Sequence, residues 1–304
     1  MNTSHEQELK RLLGEENVLT GELMSAHTTF RVGGPADYYV TPARMESVRD
    51  VVGFCQSEGL PLHVMGCGSN VLVADEGLRG VVMRIGSQLA EIKVGDNGRI
   101  TAQAGATNAK FAHVALENGL AGFEFAAGIP GSIGGAAIMN AGAYGGELRD
   151  VATGVLCLND AGEFVELSAD EAEWSYRHSK MADDGSIVLS VDMQLTPDDP
   201  QAIRERMAEL ARKRSDKQPL DLPSAGSTFK RPEGHFAGKL IQDAGMQGHR
   251  VGGAQVSTKH AGFVVNVGEA TAADVMQVIR DVRAAVLDRF GVELEPEVRC
   301  WGFS

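Results

Sequence analysis

Five short segments of this 304-residue chain hold the residue types that do chemistry. The first, Gly66-Cys67-Gly68-Ser69-Asn70, follows the apolar run LHVM at 62–65. The second reads AGIPGSIGGA from Ala127 to Ala136 and is trailed by NAGAYGG at 140–146. Glycines at these spacings let successive backbone N–H groups converge on an anion, and serine hydroxyls add donors. Neither segment is a G-x-G-x-x-G dinucleotide fingerprint, because the first continues G-x-G-x-x-V, and no G-x-x-x-x-G-K-[ST] phosphate loop occurs. The third segment, SAGSTFKRP from Ser224 to Pro232, places hydroxyls and two cations within nine residues. The fourth is WSYRHS from Trp174 to Ser179, and the fifth is LEPEVR from Leu294 to Arg299. Each alone is most often a surface turn or a paired structural carboxylate.

Charge narrows the chemistry. With 28 Lys and Arg against 41 Asp and Glu the net charge is -13, which argues against nonspecific binding to nucleic acid or to an anionic membrane. Residues 201–260 run the other way, with 11 basic against 6 acidic residues. A basic stretch in an acidic protein suits a specific anionic ligand, although a solvated helix face gives the same count. Cys55, Cys67, Cys157 and Cys300 lie far apart, with neither a disulfide framework nor a zinc spacing among them. The eight histidines include no H-E-x-x-H, so no metal is expected. The polar N-terminal sequence has no apolar core of signal-peptide type, and no run of about 18 apolar residues occurs. A cytoplasmic protein that crosses no membrane is expected.

These segments need elements to hold them. Of the 37 glycines, eight fall within 121–150, a density that implies tight turns or close backbone approach. Four helices are readable from periodicity and caps. Residues 44–58 put Val48, Val51, Val52 and Cys55 on one face and stop at Gly59. Residues 107–118 start at Thr107 and bury Phe111, Val114 and Ala115. Residues 199–214 have Pro200 in the first turn, an apolar stripe of Ile203, Met207 and Leu210, and Arg212, Lys213 and Arg214 at the end favoured by the helix dipole. The fourth begins with the capping pattern Thr271 to Asp274, carries Val275, Val278, Ile279, Val282 and Val286, and ends before Gly291. Strand-like runs at 63–66, 81–85, 99–105 and 187–195 lie between them without regular βαβ alternation, which favours an α+β fold.

Taken together the motifs resemble a known family. TFRVGGPA (29–36), GCGSNVLV (66–73), GIPGSIGGA (128–136), NAGAYGGE (140–147), YRHS (176–179), GSTFKRP (226–232), GGAQVSTKHAG (252–262) and LEPEVR (294–299) are similar in combination to the UDP-N-acetylenolpyruvylglucosamine reductase (MurB) family. The GSTFKRP form and the modest length resemble its shorter subtype, without the substrate-covering insertion. The resemblance implies an α+β fold: a two-part FAD-binding module of the vanillyl-alcohol-oxidase (PCMH) type plus a smaller α+β substrate-binding domain. On this sequence the parts fall at 1–86 with 292–304, at 87–198, and at 199–291.

The same resemblance implies noncovalent FAD and NADPH as co-substrate. The substrate is a UDP-sugar whose enolpyruvyl ether is reduced to a lactyl ether in peptidoglycan precursor synthesis. The FAD contacts fall on Gly66, Gly68, Ser69 and Asn70 of the first glycine segment, and on Gly128, Ile129, Gly131, Ser132, Gly134 and Gly135 of the second. Arg177, Ser227 and Glu297 match the catalytic positions: a guanidinium for the substrate carboxylate, a proton donor, and a carboxyl that assists when protonated. Tyr176, Lys230, Arg231 and His260 match substrate-side positions. Nucleic acid and membrane are not expected partners, and a monomer is expected. Two other readings remain at this point: an oxidase with covalently tethered flavin, for which Cys67 is the sole candidate anchor, and a sugar-nucleotide sensor without activity.

Overall fold

Capping and periodicity place most helices where the residues demand them. The computed structural model describes residues 3–303. Helix α1 (Thr3–Leu13) buries only Leu9, so its polar sequence gave no periodic signal. Helix α2 (Met45–Glu58) buries Val48, Val51, Val52 and Cys55 and closes on Gly59 at φ 62°, the left-handed cap that glycine adopts without strain. Helix α3 (Asn108–Glu117) starts from Thr107, whose side chain accepts the Lys110 amide at 3.1 Å. Phe111 and Ala115 are buried as expected; Val114 is half-exposed, and Ala112 and Leu116 are buried in its stead. Helix α4 (Ile133–Met139) forms inside the glycine-rich segment, and α5 (Lys180–Asp184) is a single short turn. Helix α6 (Pro200–Lys217) runs three residues past the expected end, followed by α7 (Ala237–Asp243) and α8 (Ala272–Phe290). The expected capping box is present at α8: Thr271 accepts from the Asp274 amide and Asp274 from the Thr271 amide.

By compactness the chain forms two units, Met1–Thr20, Tyr38–Cys67 and Gly80–Arg214 in one, and Gly21–Asp37, Gly68–Arg79 and Ser215–Ser304 in the other. A four-stranded sheet has the spatial order Val18–Leu23, Pro35–Val40, Leu78–Arg84, Leu62–Met65, and its last pair is parallel with Val64 opposite Met83. The first unit also holds a five-stranded antiparallel sheet, ordered Phe164–Ser168, Ala152–Leu158, Ile187–Gln194, Arg99–Gln103, Ile92–Val94. Its central register sets Val155 against Val191 and Val191 against Ala102, and α4 packs on it. Alternation along Ile187–Gln194 supplies the buried Val191 and Met193, as its sequence pattern implies.

The second unit builds on a three-stranded antiparallel sheet, Arg250–Val251, Ala254–Val256 and Val264–Asn266, covered by α8, with α7 against that helix. Val275, Val278, Ile279, Val282 and Val286 are all buried there with Phe30 and Leu72. Arg299–Trp301 pairs in parallel with Val71–Val73, and Asp75 accepts from the Ala272 and Ala273 amides at 2.8 and 2.9 Å. These contacts tie 68–79 to the C-terminal region. Among the described residues no helix is long and apolar enough to cross a membrane.

Candidate active site

In the first unit the second glycine segment folds back along residues 104–108. The Ile133 and Gly134 amides donate to the Ala106 and Ala104 carbonyls at 2.8 and 2.9 Å, and Asn108 N donates to Gly131 O at 3.1 Å. Ser132 is buried as the N-cap of α4, its hydroxyl accepting weakly from Gly135 N at 3.4 Å. Such close approach explains two of the glycines. A Cβ at Gly66 would lie 2.2 Å from Ser132 Oγ, so the two glycine segments touch there; one at Gly134 would lie 2.7 Å from Ala104 Cβ. Gly135 differs, for it is exposed and its nearest neighbour would be 3.7 Å away.

Several polar groups around these loops have no partner of their own. Asn108 is buried and its Nδ2 donates to Ile129 O at 3.2 Å, yet its Oδ1 is without a hydrogen bond among the described residues. The amides of Cys67, Gly68, Ser69 and Asn70 likewise donate to no group among the described residues. Beside Gly128 an open cavity of about 350 Å³ is lined by Phe125, Tyr144, and Met207, Leu210 and Arg214 of α6. Met207 and Leu210 of the apolar stripe are half-buried and line this space. Arg214 is half-buried with no hydrogen bond or carboxylate among the described residues, and burial pushes its guanidinium pKa down. An unpaired buried cation is costly, so a ligand's negative charge is the partner that suits it. The sequence reading missed Arg214 because it ends a basic run; the signal was its place at i+11 on the face of Ile203, Met207 and Leu210.

Tyr176 and Arg177 form the tip of a tight turn closed by reciprocal Ser175 and His178 backbone bonds of 3.1 and 3.2 Å. Arg177 takes φ 54°, a left-handed conformation costly for a side chain with Cβ, and its Nη2 donates to Gly142 O at 3.1 Å. Its guanidinium lies 5.2 Å from the exposed Tyr176 ring. Trp174 anchors the turn, with Nε1 donating to Ala137 O at 2.8 Å. Cys67, the candidate tether, is a thiol whose pKa burial raises, only partly offset by Arg84; it is not the thiolate that covalent attachment needs.

In the second unit the serine segment lies beside LEPEVR. Glu297 N donates to Thr228 O and Lys230 N to Glu295 O, at 2.8 and 2.9 Å, while Asn70 Nδ2 donates to Glu297 O at 3.1 Å. Ser227, Lys230, Glu297 and Asn70 are thus brought together. Thr228 is fully buried and its Oγ1 accepts from Val264 N, which holds the adjacent Ser227 exposed after Gly226 at φ 76°. Lys230 pairs with Glu295, and Arg231 lies over the exposed Phe236 ring at 4.0 Å. His260 accepts from Gly262 N on Nδ1 at 3.1 Å, which leaves the ring proton of the neutral form on Nε2; burial, with Lys217 nearby, pushes its pKa below the usual imidazole value.

In the first unit the orphaned Asn108 acceptor, the Cys67 amide without a partner among the described residues, and the unpaired Arg214 guanidinium beside an apolar cavity suit an anionic ligand. An FAD binding domain is matched over residues 36–168, which makes this a flavoprotein oxidoreductase that uses FAD. Its fold is the two-part FAD module of vanillyl-alcohol-oxidase (PCMH) type with a smaller α+β domain. An alkyldihydroxyacetonephosphate synthase shares that fold at TM-score 0.50 and 17% identity, over 65% of this chain and 41% of its own. Residues 218–301 match the C-terminal domain of UDP-N-acetylenolpyruvoylglucosamine reductase, and the chain belongs to that family. The UDP-N-acetylenolpyruvoylglucosamine reductase of Agathobacter rectalis is 51% identical over 313 residues, covering 99% of each chain. The crystal structure of the enzyme from Thermus caldophilus aligns at TM-score 0.80 and 35% identity, over 92% of this chain and 97% of that one.

Proposed function

We propose that this chain reduces UDP-N-acetylenolpyruvoylglucosamine to UDP-N-acetylmuramate with electrons from NADPH, a step of peptidoglycan precursor synthesis. The observation that carries this reading is the presence, in a chain of this family, of Arg177, Ser227 and Glu297 at the three matching positions, on backbone held by the hydrogen bonds described above. FAD, when bound, supplies the hydride-transfer chemistry. Gly66, Gly68, Ser69 and Asn70, with Gly128, Ile129, Gly131, Ser132, Gly134 and Gly135, hold it noncovalently, and Arg214 adds the positive charge their amides lack.

The protein's own residues then meet two demands. Hydride arrival at the terminal methylene leaves negative charge on the neighbouring carbon and its carboxylate. Arg177 pairs with that carboxylate in a fork and stays charged throughout, so it stabilises the growing charge. Glu297, when protonated, donates to the same carboxylate. Ser227 gives the proton to the carbon; the site is strongly basic, so placement of the exposed hydroxyl matters more than its acidity. Lys230 and Arg231 serve the diphosphate, which for Lys230 means exchanging the Glu295 carboxylate for a phosphate, and Tyr176 and His260 complete the substrate contacts.

The same proposal includes a monomeric cytoplasmic enzyme divided at 1–86 with 292–304, 87–198 and 199–291. In favour of that division, the five-stranded sheet lies wholly within 87–198, and the three-stranded sheet with α7 and α8 lies within 199–291. The test separates the half-reactions. Ser227→Ala should bleach with NADPH at nearly the wild-type rate and reoxidise with the enolpyruvyl sugar about 10²–10⁴-fold more slowly in stopped flow. Equal slowing of both halves removes Ser227 from proton transfer.

A further inference from the structure

The backbone of the turn Thr28–Val32 is pinned throughout, Arg31 N donating to Thr28 O at 3.1 Å, and only the Arg31 side chain is left over. Thr28 Oγ1 donates to Val32 O at 2.8 Å, and Thr29 N donates to Gly68 O at 3.1 Å while its hydroxyl donates to Ser224 O at 2.6 Å. Phe30 is fully buried and its carbonyl accepts from Asn266 Nδ2 at 3.1 Å. At the apex sits Arg31, exposed, with φ 56°. The path from the buried Phe30 back to the Val32 carbonyl demands a left-handed residue there, which glycine or asparagine supplies at least cost. Arginine is the expensive choice, and its guanidinium makes no hydrogen bond or ion pair among the described residues. The fold therefore gains nothing visible from this side chain.

The hydrogen bonds of the turn show which segments Arg31 is tied to. Through Thr29 the turn is bonded to Gly68, inside the first glycine segment, and to Ser224, at the start of the serine segment, both proposed to bind ligand. The amides of Gly68, Ser69 and Asn70 lack acceptors among the described residues, and they lie in the same compact unit as Arg31. Strain held in place by surrounding bonds is a mark of functional positions. We propose that Arg31 is a pre-positioned cation for a diphosphate bound at the Gly68–Asn70 amides, so that the fixed backbone supplies the donors and Arg31 the charge. This rests on the reading that the Gly68–Asn70 segment binds a nucleotide ligand. The diphosphate belongs either to FAD or to the UDP-sugar.

The test exploits the strain. Arg31→Gly and Arg31→Asn suit the left-handed backbone, so the flavin-free full chain of either should melt at or above the wild-type temperature. Both should weaken ligand binding about tenfold or more, and Arg31→Lys should lose less than either. Flavin release on dilution of the holoenzyme and KM for the UDP-enolpyruvyl sugar identify the source. Faster flavin release assigns the diphosphate of FAD, while a raised KM with unchanged kcat and flavin retention assigns that of the sugar nucleotide. A melting temperature below wild type in both variants, or both ligands bound within threefold of wild type, overturns the proposal. Wild-type protein that retains no FAD and turns over no UDP-sugar would instead refute the reading on which it rests.

Discussion

Adding one methyl group at each of two adjacent glycines should have opposite consequences. At Gly134 the new Cβ would lie 2.7 Å from Ala104 Cβ and 3.2 Å from Ala104 O. An alanine side chain has no rotamer to retreat into, so α4 must move off the sheet by about 1 Å to restore a carbon–carbon contact near 3.7 Å. Overpacking of this kind costs about 1–3 kcal/mol, against which alanine returns up to about 1 kcal/mol of helix propensity. The flavin-free Gly134→Ala protein should therefore lose about 1–2 kcal/mol, a fall of roughly 2–6 °C in melting temperature. Moving α4 also moves Ser132 and Gly131, so FAD affinity should fall with it. At Gly135 the nearest neighbour would be 3.7 Å away, an ordinary contact, so Gly135→Ala should leave the flavin-free chain unchanged or slightly more stable. If the space beside Gly135 belongs to the cofactor, that same variant should still retain less FAD. Differential scanning fluorimetry of flavin-free protein and FAD titration give all four values. A Gly134→Ala protein as stable as wild type would refute the packing argument, and full FAD affinity in Gly135→Ala would refute the placement of the cofactor.

Two further outcomes follow from charge. Arg214→Met keeps the length of the side chain and removes a half-buried cation without a counter-ion, so the flavin-free protein should be no less stable; FAD binding should weaken about ten- to a hundredfold, the worth of a charge-assisted contact of about 1.5–3 kcal/mol. His260 has a folded-state pKa below the ordinary 6.5 because it is buried, so as pH falls below about 6.5 the unfolded chain takes up a proton that the folded chain does not, and stability drops on the acid side. His260→Gln should flatten part of that acid-side decline, measured as urea midpoints at about pH 7.5 and about pH 5.5; an unchanged slope would mean that another group sets it.

What the sequence disclosed was what is decided locally. The capping box and valine stripe of α8 are fixed by side chains within one or two turns, so helix start, helix end and buried face all agree with expectation. Helix α4 was illegible because Gly134, Gly135 and their neighbours offer poor propensity, and its helicity comes from packing against Ala104. The sequence reading sets residues 21–37 and 68–79 with 1–86 and 292–304, a part that contains the strand pair of 71–73 with 299–301. Compactness groups those residues with 215–304 as well, and the Asp75 cap on α8, between residues about two hundred apart, leaves no local trace in the sequence. Within the site, glycines and charged types could be read, but the left-handed backbone of Arg31 and Arg177 is invisible in residue type. Arg214 carried a periodic signal that the basic run around it masked.

The parallel pairing of Arg299–Trp301 with Val71–Val73 also sets a timetable for biosynthesis. The two strands leave the ribosome roughly 230 residues apart, an interval of about 11–46 s at typical translation rates of ~5–20 residues per second. Through that interval Phe30 and Leu72, both fully buried in the finished protein, have no core to enter, since α8 has not yet been made. The nascent chain must therefore hold an early apolar segment exposed until its last-made partner emerges. Chaperone demand during synthesis should concentrate on 21–37 and 68–79.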